Sequence, residues 1–201
     1  KNIRFFNAGS TDCFGDTGNK AAIETTPFGP TSPYSVAKCS SYWQVSSYRK
    51  AYNLFACTGL LSNHESPFRS KRFVTQKIVH QASQVKCGIR ESIELNNLDI
   101  WRDWGWAPDY VKAMHLMLQN QLPQDFIIAT GKTHSLKDFT KKVCKFYEID
   151  FNKVVKLNSQ QDSRPADFRY SFLDPSLIYT NLGWRAEKNL DEIIFEMCKY
   201  V

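Results

Sequence analysis

Ser32-Pro33-Tyr34-Ser35-Val36-Ala37-Lys38 is the stretch from which the fold is read. Serine caps helices well and proline is tolerated in a first turn, so a helix is expected to open here. It runs on through Cys39-Ser40-Ser41-Tyr42-Trp43 towards Tyr52, with Tyr34 and Lys38 four residues apart on one face. A phenol of pKa ~10 is a poor base at neutral pH, but an ammonium one turn away stabilises phenolate. Tyr34 is therefore a candidate to exchange a proton with a substrate hydroxyl. Lys38 is expected to lower its pKa and to hold a cofactor ribose. No other tyrosine in the chain has a lysine four residues on.

Upstream, residues 3–8 (IRFFNA) form a short apolar run suited to a buried parallel strand. It leads into Gly9-Ser10-Thr11-Asp12-Cys13-Phe14-Gly15, a turn carrying hydroxyls and a carboxylate. Residues 16–31 are rich in Gly, Thr and Pro and read as a loop. Downstream, residues 54–61 (LFACTGLL) form a second buried strand, completing a βαβ unit. A hydroxyl at a strand end, then Tyr-x-x-x-Lys on the next helix, resembles the active-site layout of extended short-chain dehydrogenase/reductases.

Open parallel sheets bind ligands at the carboxyl ends of their strands, which marks Asn63-His64-Glu65-Ser66-Pro67-Phe68-Arg69 as a polar binding loop. Beyond it the pattern predicts a helix over 73–84, a strand over 91–95 and an aromatic-charged turn at 102–106 ahead of another helix. A strand at 126–130, a helix capped by Ser135 and a short strand at 154–157 follow. A loop at 163–167 and helices near 175–182 and 191–197 close the chain. Helices alternating with short strands give the α/β class. The expected architecture is the C-terminal part of a Rossmann-type parallel sheet with an interleaved smaller α/β substrate-binding lobe. Residues 1–65 are read as the C-terminal half of a dinucleotide-binding domain. Residues 66–201 are read as mainly the substrate lobe, with 102–131 returning to the Rossmann sheet.

Composition removes several other classes. The chain is 42% apolar and 23% charged, with no low-complexity tract. No apolar run reaches the ~18 residues needed to cross a membrane, and the first residues lack a signal-peptide pattern. The six cysteines form no Cys-x-x-Cys pair and read as reduced thiols, so a cytoplasmic setting is expected. The four histidines lack metal-ligand spacing, so no metal site is expected. Net charge is +6, but the basic residues are dispersed and belong to no nucleic-acid-binding module. A compact anion such as a diphosphate suits this pattern better. Cys13 lacks a histidine in a partner position, which argues against a thiol nucleophile, and Trp104 and Trp106 read as structural. The sequence has no Gly-x-Gly-x-x-Gly turn and no initiating Met, so it is expected to be the C-terminal part of a longer dinucleotide-binding protein.

SPYSVAK, AYNLF, SNHESPFRSKRFVTQKI, NLDIWRDWGWAPDYVKAMHLMLQ, DFIIATG and the late SRPAD together resemble the GDP-mannose 4,6-dehydratases. The resemblance runs from about Ile3 to the last helix. It implies NADP as cofactor and a GDP-sugar as substrate, with a dimer or tetramer for the full-length protein. By motif, Tyr34 and Lys38 match directly, and Ser10-Thr11-Asp12 stands where the family has Thr-Ser-Glu. The resemblance implies that Ser10 hydrogen-bonds the sugar 4-oxygen and that Asp12 is the C5 base and C6 acid. Leu61, Asn63, His64 and Arg69 fall at cofactor positions. Asn63, Arg69, Val74, Lys77, Arg102, Arg164 and Asp167 match sugar-nucleotide contacts. Asp12 and Asp167 each replace a glutamate and are one methylene shorter. An epimerase or 4-dehydrogenase of the same fold, and a non-catalytic sugar-nucleotide-binding fragment, remain the alternatives.

Overall fold

The computed structural model describes residues 3–158 and 168–201, so Arg164 and Asp167 lie outside the described residues. Its first sheet is built from three parallel strands, β1 (Phe5–Ser10), β2 (Ala56–Leu61) and β6 (Phe126–Ile128), in the order β1-β2-β6. All six residues of β2 are buried, which is why LFACTGLL reads as a continuous apolar run rather than an alternating one. Side chains still alternate between the two faces. Cys57 and Leu61 pack with Tyr110, Phe126, Ile128 and Trp184 on one side. Leu60 packs with Phe14, Ile127 and Leu173 on the other. Each fully buried side chain of this kind contributes about 1.5–3 kcal/mol relative to an exposed one.

The crossover between β1 and β2 is helix α1 (Pro33–Tyr52). It opens as expected: the Ser32 hydroxyl accepts from the Ser35 amide and the Ser35 hydroxyl accepts from the Ser32 amide, with Pro33 in the first turn. Its far end is clamped by Arg49, whose guanidinium makes a two-pronged pair with Asp125 at 2.8 and 2.6 Å. Asp125 also accepts from the Thr58 amide at 2.6 Å, so one carboxylate ties α1, β2 and the start of β6 together. Among the described residues β1 pairs on one side only, with β2. A cavity of about 310 Å³ lined by Ile3, Phe5, Val45, Tyr48 and Leu54 lies between α1 and the first residues of β1 and β2.

The second sheet has β5 (Trp101–Trp106) at its centre, parallel to β3 (Asn63–Glu65) and antiparallel to β7 (Thr133–Ser135). The sequence suggests a turn at 102–106; the structure makes it a strand. The aromatic residues favour a pleated surface. The two charged ones are buried because backbone groups satisfy them: Arg102 donates to the carbonyls of Trp101, Phe168 and Arg169, and Asp103 accepts from two amides. Arg102 and Asp103, adjacent in sequence, point to different partners, as strand alternation requires.

A third pair, β4 (Ile93–Leu95) with β8 (Val155–Leu157), is parallel. It shares a second core with α2 (Val74–Lys86), α4 (Leu136–Phe146) and α7 (Leu190–Lys199), where Ile78, Ile93, Trp104, Phe139, Ile193 and Met197 meet. Ser135 caps α4 through the Asp138 amide. The remaining helices are α3 (Ala107–Gln119), the single turn α5 (Phe151–Val154) and α6 (Ser176–Leu182).

The two sheets meet at Asp103. Its carboxylate accepts from the Ser62 hydroxyl (3.3 Å) and the amides of Thr130 (3.0 Å) and Gly131 (2.8 Å). Ser62 in turn lies 2.5 Å from the Tyr110 hydroxyl. A Cβ on Gly105 would collide with the Tyr110 ring, so only glycine lets that ring reach Ser62. Burial pushes Asp103 up to about 6, against the downward pull of its hydrogen bonds with Thr130, Gly131 and Ser62.

Asp125→Ala leaves Arg49 without its carboxylate and should cost about 2–4 kcal/mol of unfolding free energy, measured by urea titration. Asp103 gives a pH test. A carboxyl raised from 3.8 to about 6 binds its proton more tightly when folded. Its contribution is therefore complete below about pH 4 and is lost as pH rises through 6, by at most about 3 kcal/mol. Asp103→Asn removes this term. Its deficit against wild type should be largest near pH 4 and narrow above pH 6; a constant deficit would contradict the assignment.

Candidate active site

Ser10, the last residue of β1, sits opposite Leu61 of β2 at the carboxyl end of the first sheet. It caps the short 3-10 turn Thr11–Phe14, its Oγ accepting from the Asp12 amide at 3.2 Å. Thr11 donates to the Leu61 carbonyl at 3.3 Å, holding the turn on the neighbouring strand. Gly15 ends the turn at φ 68°, where a side chain would run into the Gly29 carbonyl. Two thiols join the turn to α1: Cys13 donates to the Ser35 carbonyl (3.9 Å) and Cys39 to the Cys13 carbonyl (4.0 Å). Burial, then the adjoining Cys39, pushes the Cys13 thiol up to about 12, which agrees with a packing role rather than a nucleophile's.

Tyr34, in the first turn of α1, stands half exposed over this turn. Burial raises its phenol above the ordinary value, and the nearby charges of Asp12 and Cys13 add to that. A hydrogen bond with Ser10 and the charge of Arg69 pull the other way. Ser10, Asp12, Cys13 and Arg69 thus all lie within electrostatic reach of one phenol. Lys38 reaches from the helix to the neighbouring strand. Its ammonium donates to the Ala8 carbonyl at 2.8 Å and lies 5.6 Å from the centroid of the Tyr34 ring. It ties α1 to β1 and keeps a positive charge beside the Tyr34 ring.

The next strand ends supply the other candidates. Leu61 is buried in the first core. Asn63 is half-buried in β3, opposite Trp104. His64 places Nδ1 2.9 Å from the Ser62 carbonyl and packs 5.1 Å from the Tyr110 ring. Burial lowers its pKa, partly offset by that carbonyl. Arg69 donates to the His64 carbonyl at 2.5 Å, lies 4.0 Å over the Phe73 ring and pairs with Glu65 at 3.3 Å.

On α2, Val74 packs against the second core and Lys77 is half-buried. Arg102 is held by the chain at 168–169 and stacks 4.1 Å from Phe168. The structure therefore gathers Ser10, Asp12, Tyr34, Lys38 and Arg69 around the end of β1, with His64 tied to Arg69. Arg102 belongs to β5 and engages a separate segment. Among the described residues no three His, Cys, Asp or Glu side chains gather as a metal site.

Within the loop at 63–69, the sequence does not single out Glu65. It is completely buried, accepts from Thr75 Oγ1 at 2.7 Å and pairs with Arg69 four residues on. The single signal for it is that spacing, which inside a loop motif is easily taken for a solvated pair.

Residues 1–197 match the family model described as GDP-mannose 4,6 dehydratase. GDP-mannose 4,6 dehydratase of Homo sapiens is 49% identical over 213 residues, covering 97% of this chain and 57% of the relative. The Drosophila melanogaster enzyme is 47% identical over 216 residues, covering 99% and 54%. GDP-mannose 4,6 dehydratase 2 of Arabidopsis thaliana is 38% identical over 194 residues, covering 96% and 52%. The chain spans about half the length of the curated relatives it matches. RMD from Pseudomonas aeruginosa, solved with NADPH, superposes with a TM-score of 0.89 at 15% identity, covering all of this chain and 66% of that one. A dTDP-glucose 4,6-dehydratase from Bacillus anthracis, solved with NAD, gives 0.87 at 16%, covering 98% and 61%. At such identities the likeness speaks for the fold, a Rossmann-type parallel sheet with its appended lobe. The sequence matches speak for the family: this chain belongs to the GDP-mannose 4,6-dehydratases.

Proposed function

We propose that the protein is a sugar-nucleotide 4,6-dehydratase, a hydro-lyase that converts a GDP-hexose such as GDP-mannose into its 4-keto-6-deoxy derivative. The observation that carries this reading is the convergence of Ser10, Asp12 and Tyr34 at the carboxyl end of β1. Oxidation at C4 needs a proton acceptor and a hydroxyl to hold the 4-oxygen. Elimination needs a carboxylate within reach of C5 and C6. This cluster offers all three.

The donor set fits one end of a dinucleotide. The half-exposed Tyr34 phenol and the Lys38 ammonium suit ribose hydroxyls, and the carboxyl ends of β1, β2 and β6 align beside them. The glycine-rich cradle for a pyrophosphate is not among these 201 residues. When bound, NADP supplies a hydride acceptor at C4 and the matching donor at C6. Tyr34 takes the proton of the sugar 4-hydroxyl, and Ser10 holds the 4-oxygen by a hydrogen bond. The 4-ketone acidifies C5–H, Asp12 removes that proton, and the same group protonates the departing C6 hydroxyl as water leaves. Leu61, Asn63, His64 and Arg69 are assigned to the cofactor side. Asn63, Arg69, Val74, Lys77 and Arg102, with Arg164 and Asp167, are assigned to the sugar nucleotide. Arginines suit the diphosphate through paired, charge-assisted hydrogen bonds.

In this reading residues 1–65 belong to the cofactor domain and 66–201 mainly to the substrate lobe, with 102–131 rejoining the first sheet. The pairing of Phe126–Ile128 with β2 supports the last point. Exposed Val36, Trp43, Tyr48 and Tyr52 on α1 support self-association as a dimer or tetramer. Six cysteines without a disulfide agree with a cytoplasmic setting.

Two substitutions in the full-length protein test the roles. Tyr34→Phe keeps the ring but cannot carry the proton, so turnover should fall ~10²–10⁴-fold with GDP-mannose binding nearly unchanged. Asp12→Asn should still allow C4 oxidation, seen as transient cofactor reduction, yet give no C5 exchange from heavy water and no 6-deoxy product. Asp12→Glu should retain dehydration. Wild-type oxidation at C4 without loss of water would transfer the reading to an epimerase or a 4-dehydrogenase.

A further inference from the structure

Among the described residues, three buried side-chain atoms lack a hydrogen bond: Glu65 Oε1, Arg69 Nε and Gln76 Oε1. All three belong to one cluster, between the end of β3 and the first turn of α2. Glu65 and Gln76 are 0% and 1% exposed. Gln76 donates to the carbonyls of Ser66 and Pro67, so its amide closes the loop that Glu65 begins. The carboxylate keeps one hydrogen bond, from Thr75, and one ion pair, with Arg69 Nε at 3.3 Å.

Such a group is costly. A buried ion pair is often no more stabilising than apolar side chains of the same volume, and an oxygen left without a donor adds a further penalty. A stability role alone is a poor account of Glu65. Its geometry suggests another. Arg69 is gripped on three sides: Nε by Glu65, Nη1 by the His64 carbonyl, and its flat face by the Phe73 ring. So held, it sits within electrostatic range of the Tyr34 phenol.

We propose that Glu65 is a positioning residue: its buried carboxylate fixes the Arg69 guanidinium at the edge of the Tyr34 site, where it meets the anionic sugar nucleotide. This rests on the dehydratase reading for the identity of the ligand. Burial raises the Glu65 carboxyl above its ordinary value, while Arg69 and Thr75 pull it down. A role exerted through another residue makes a distinctive prediction, because removing both partners should cost no more than removing one.

The test uses the full-length protein and the variants Glu65→Gln, Arg69→Lys, the double variant and Glu65→Asp. Glutamine keeps the shape and the hydrogen bond from Thr75. Lysine keeps a charge beside Glu65 but lacks the planar fork. GDP-mannose binding is read by calorimetry, KM and kcat by product formation, and folding by the thermal midpoint. Glu65→Gln and Arg69→Lys should each weaken binding roughly tenfold, the scale of one charged hydrogen bond. The loss should fall on KM rather than kcat. The double variant should match the weaker single variant, and Glu65→Asp should recover part of the affinity. Multiplicative losses in the double variant, wild-type affinity in Glu65→Gln, or its failure to fold would each overturn the proposal. A wild type that binds GDP-mannose yet forms no 4-keto-6-deoxy product counts against the reaction instead, since the binding comparison among the variants stands without turnover.

Discussion

One buried carboxylate joins the halves of this structure. Asp103 lies on the central strand of the second sheet but takes its hydrogen bonds from Ser62, just past β2, and from Thr130 and Gly131, just past β6. Both segments are carboxyl ends of strands in the first sheet. A parallel sheet leaves those ends as loops, and loops drift unless their backbone groups are satisfied. Asp103 satisfies two amides and a hydroxyl at once, so the strand ends keep a fixed relation to β5. Side-chain amides or hydroxyls could not do this without presenting donors to donors.

The consequence reaches the candidate active site through short, stiff links. Ser62 touches Tyr110, the Tyr110 ring packs against His64, and the His64 carbonyl accepts from Arg69. Arg69 then contributes a positive charge that lowers the Tyr34 phenol, against burial and the charges of Asp12 and Cys13. Each link is a hydrogen bond or a ring contact. The packing between two sheets thus bears on the charge around Tyr34, beside Lys38, whose ammonium is engaged by the Ala8 carbonyl.

Sequence made the parallel sheet legible because its signals are local. Apolar runs at Phe5–Ala8, Ala56–Leu61 and Phe126–Ile128 are short, continuous and bounded by turn residues, and Ser32-Pro33 is an unambiguous helix start. The strand at 101–106 was not legible. Arginine and aspartate side by side among tryptophans look like a surface turn until partners distant in sequence satisfy them. Residues 63–65 and 133–135 hid for the same reason: three-residue strands exist only because β5 lies between them. The candidate chemistry divides the same way. Tyr34 and Lys38 are revealed by a four-residue spacing, and Ser10 and Asp12 by a turn at a strand end. Glu65 gives almost no local sign, since its significance comes from burial, which spacing does not report.

The two roles of Ser10, cap and donor, are compatible, and that explains why a small hydroxyl stands at this strand end. A serine hydroxyl has one proton to give and two lone pairs to receive. Its oxygen already accepts from the Asp12 amide, which fixes the start of the 3-10 turn. The proton remains for the Tyr34 side, where its hydrogen bond favours the ionised phenol. The same bond that orders the turn thus turns the donor towards the reacting phenol. It also sets where the Asp12 carboxylate leaves the backbone, two residues beyond β1. Asparagine or aspartate would cap the turn as well. A hydroxyl caps it and still offers one proton, so at this position the local rule for ending a strand and the requirement of the proposed chemistry are met by the same residue type.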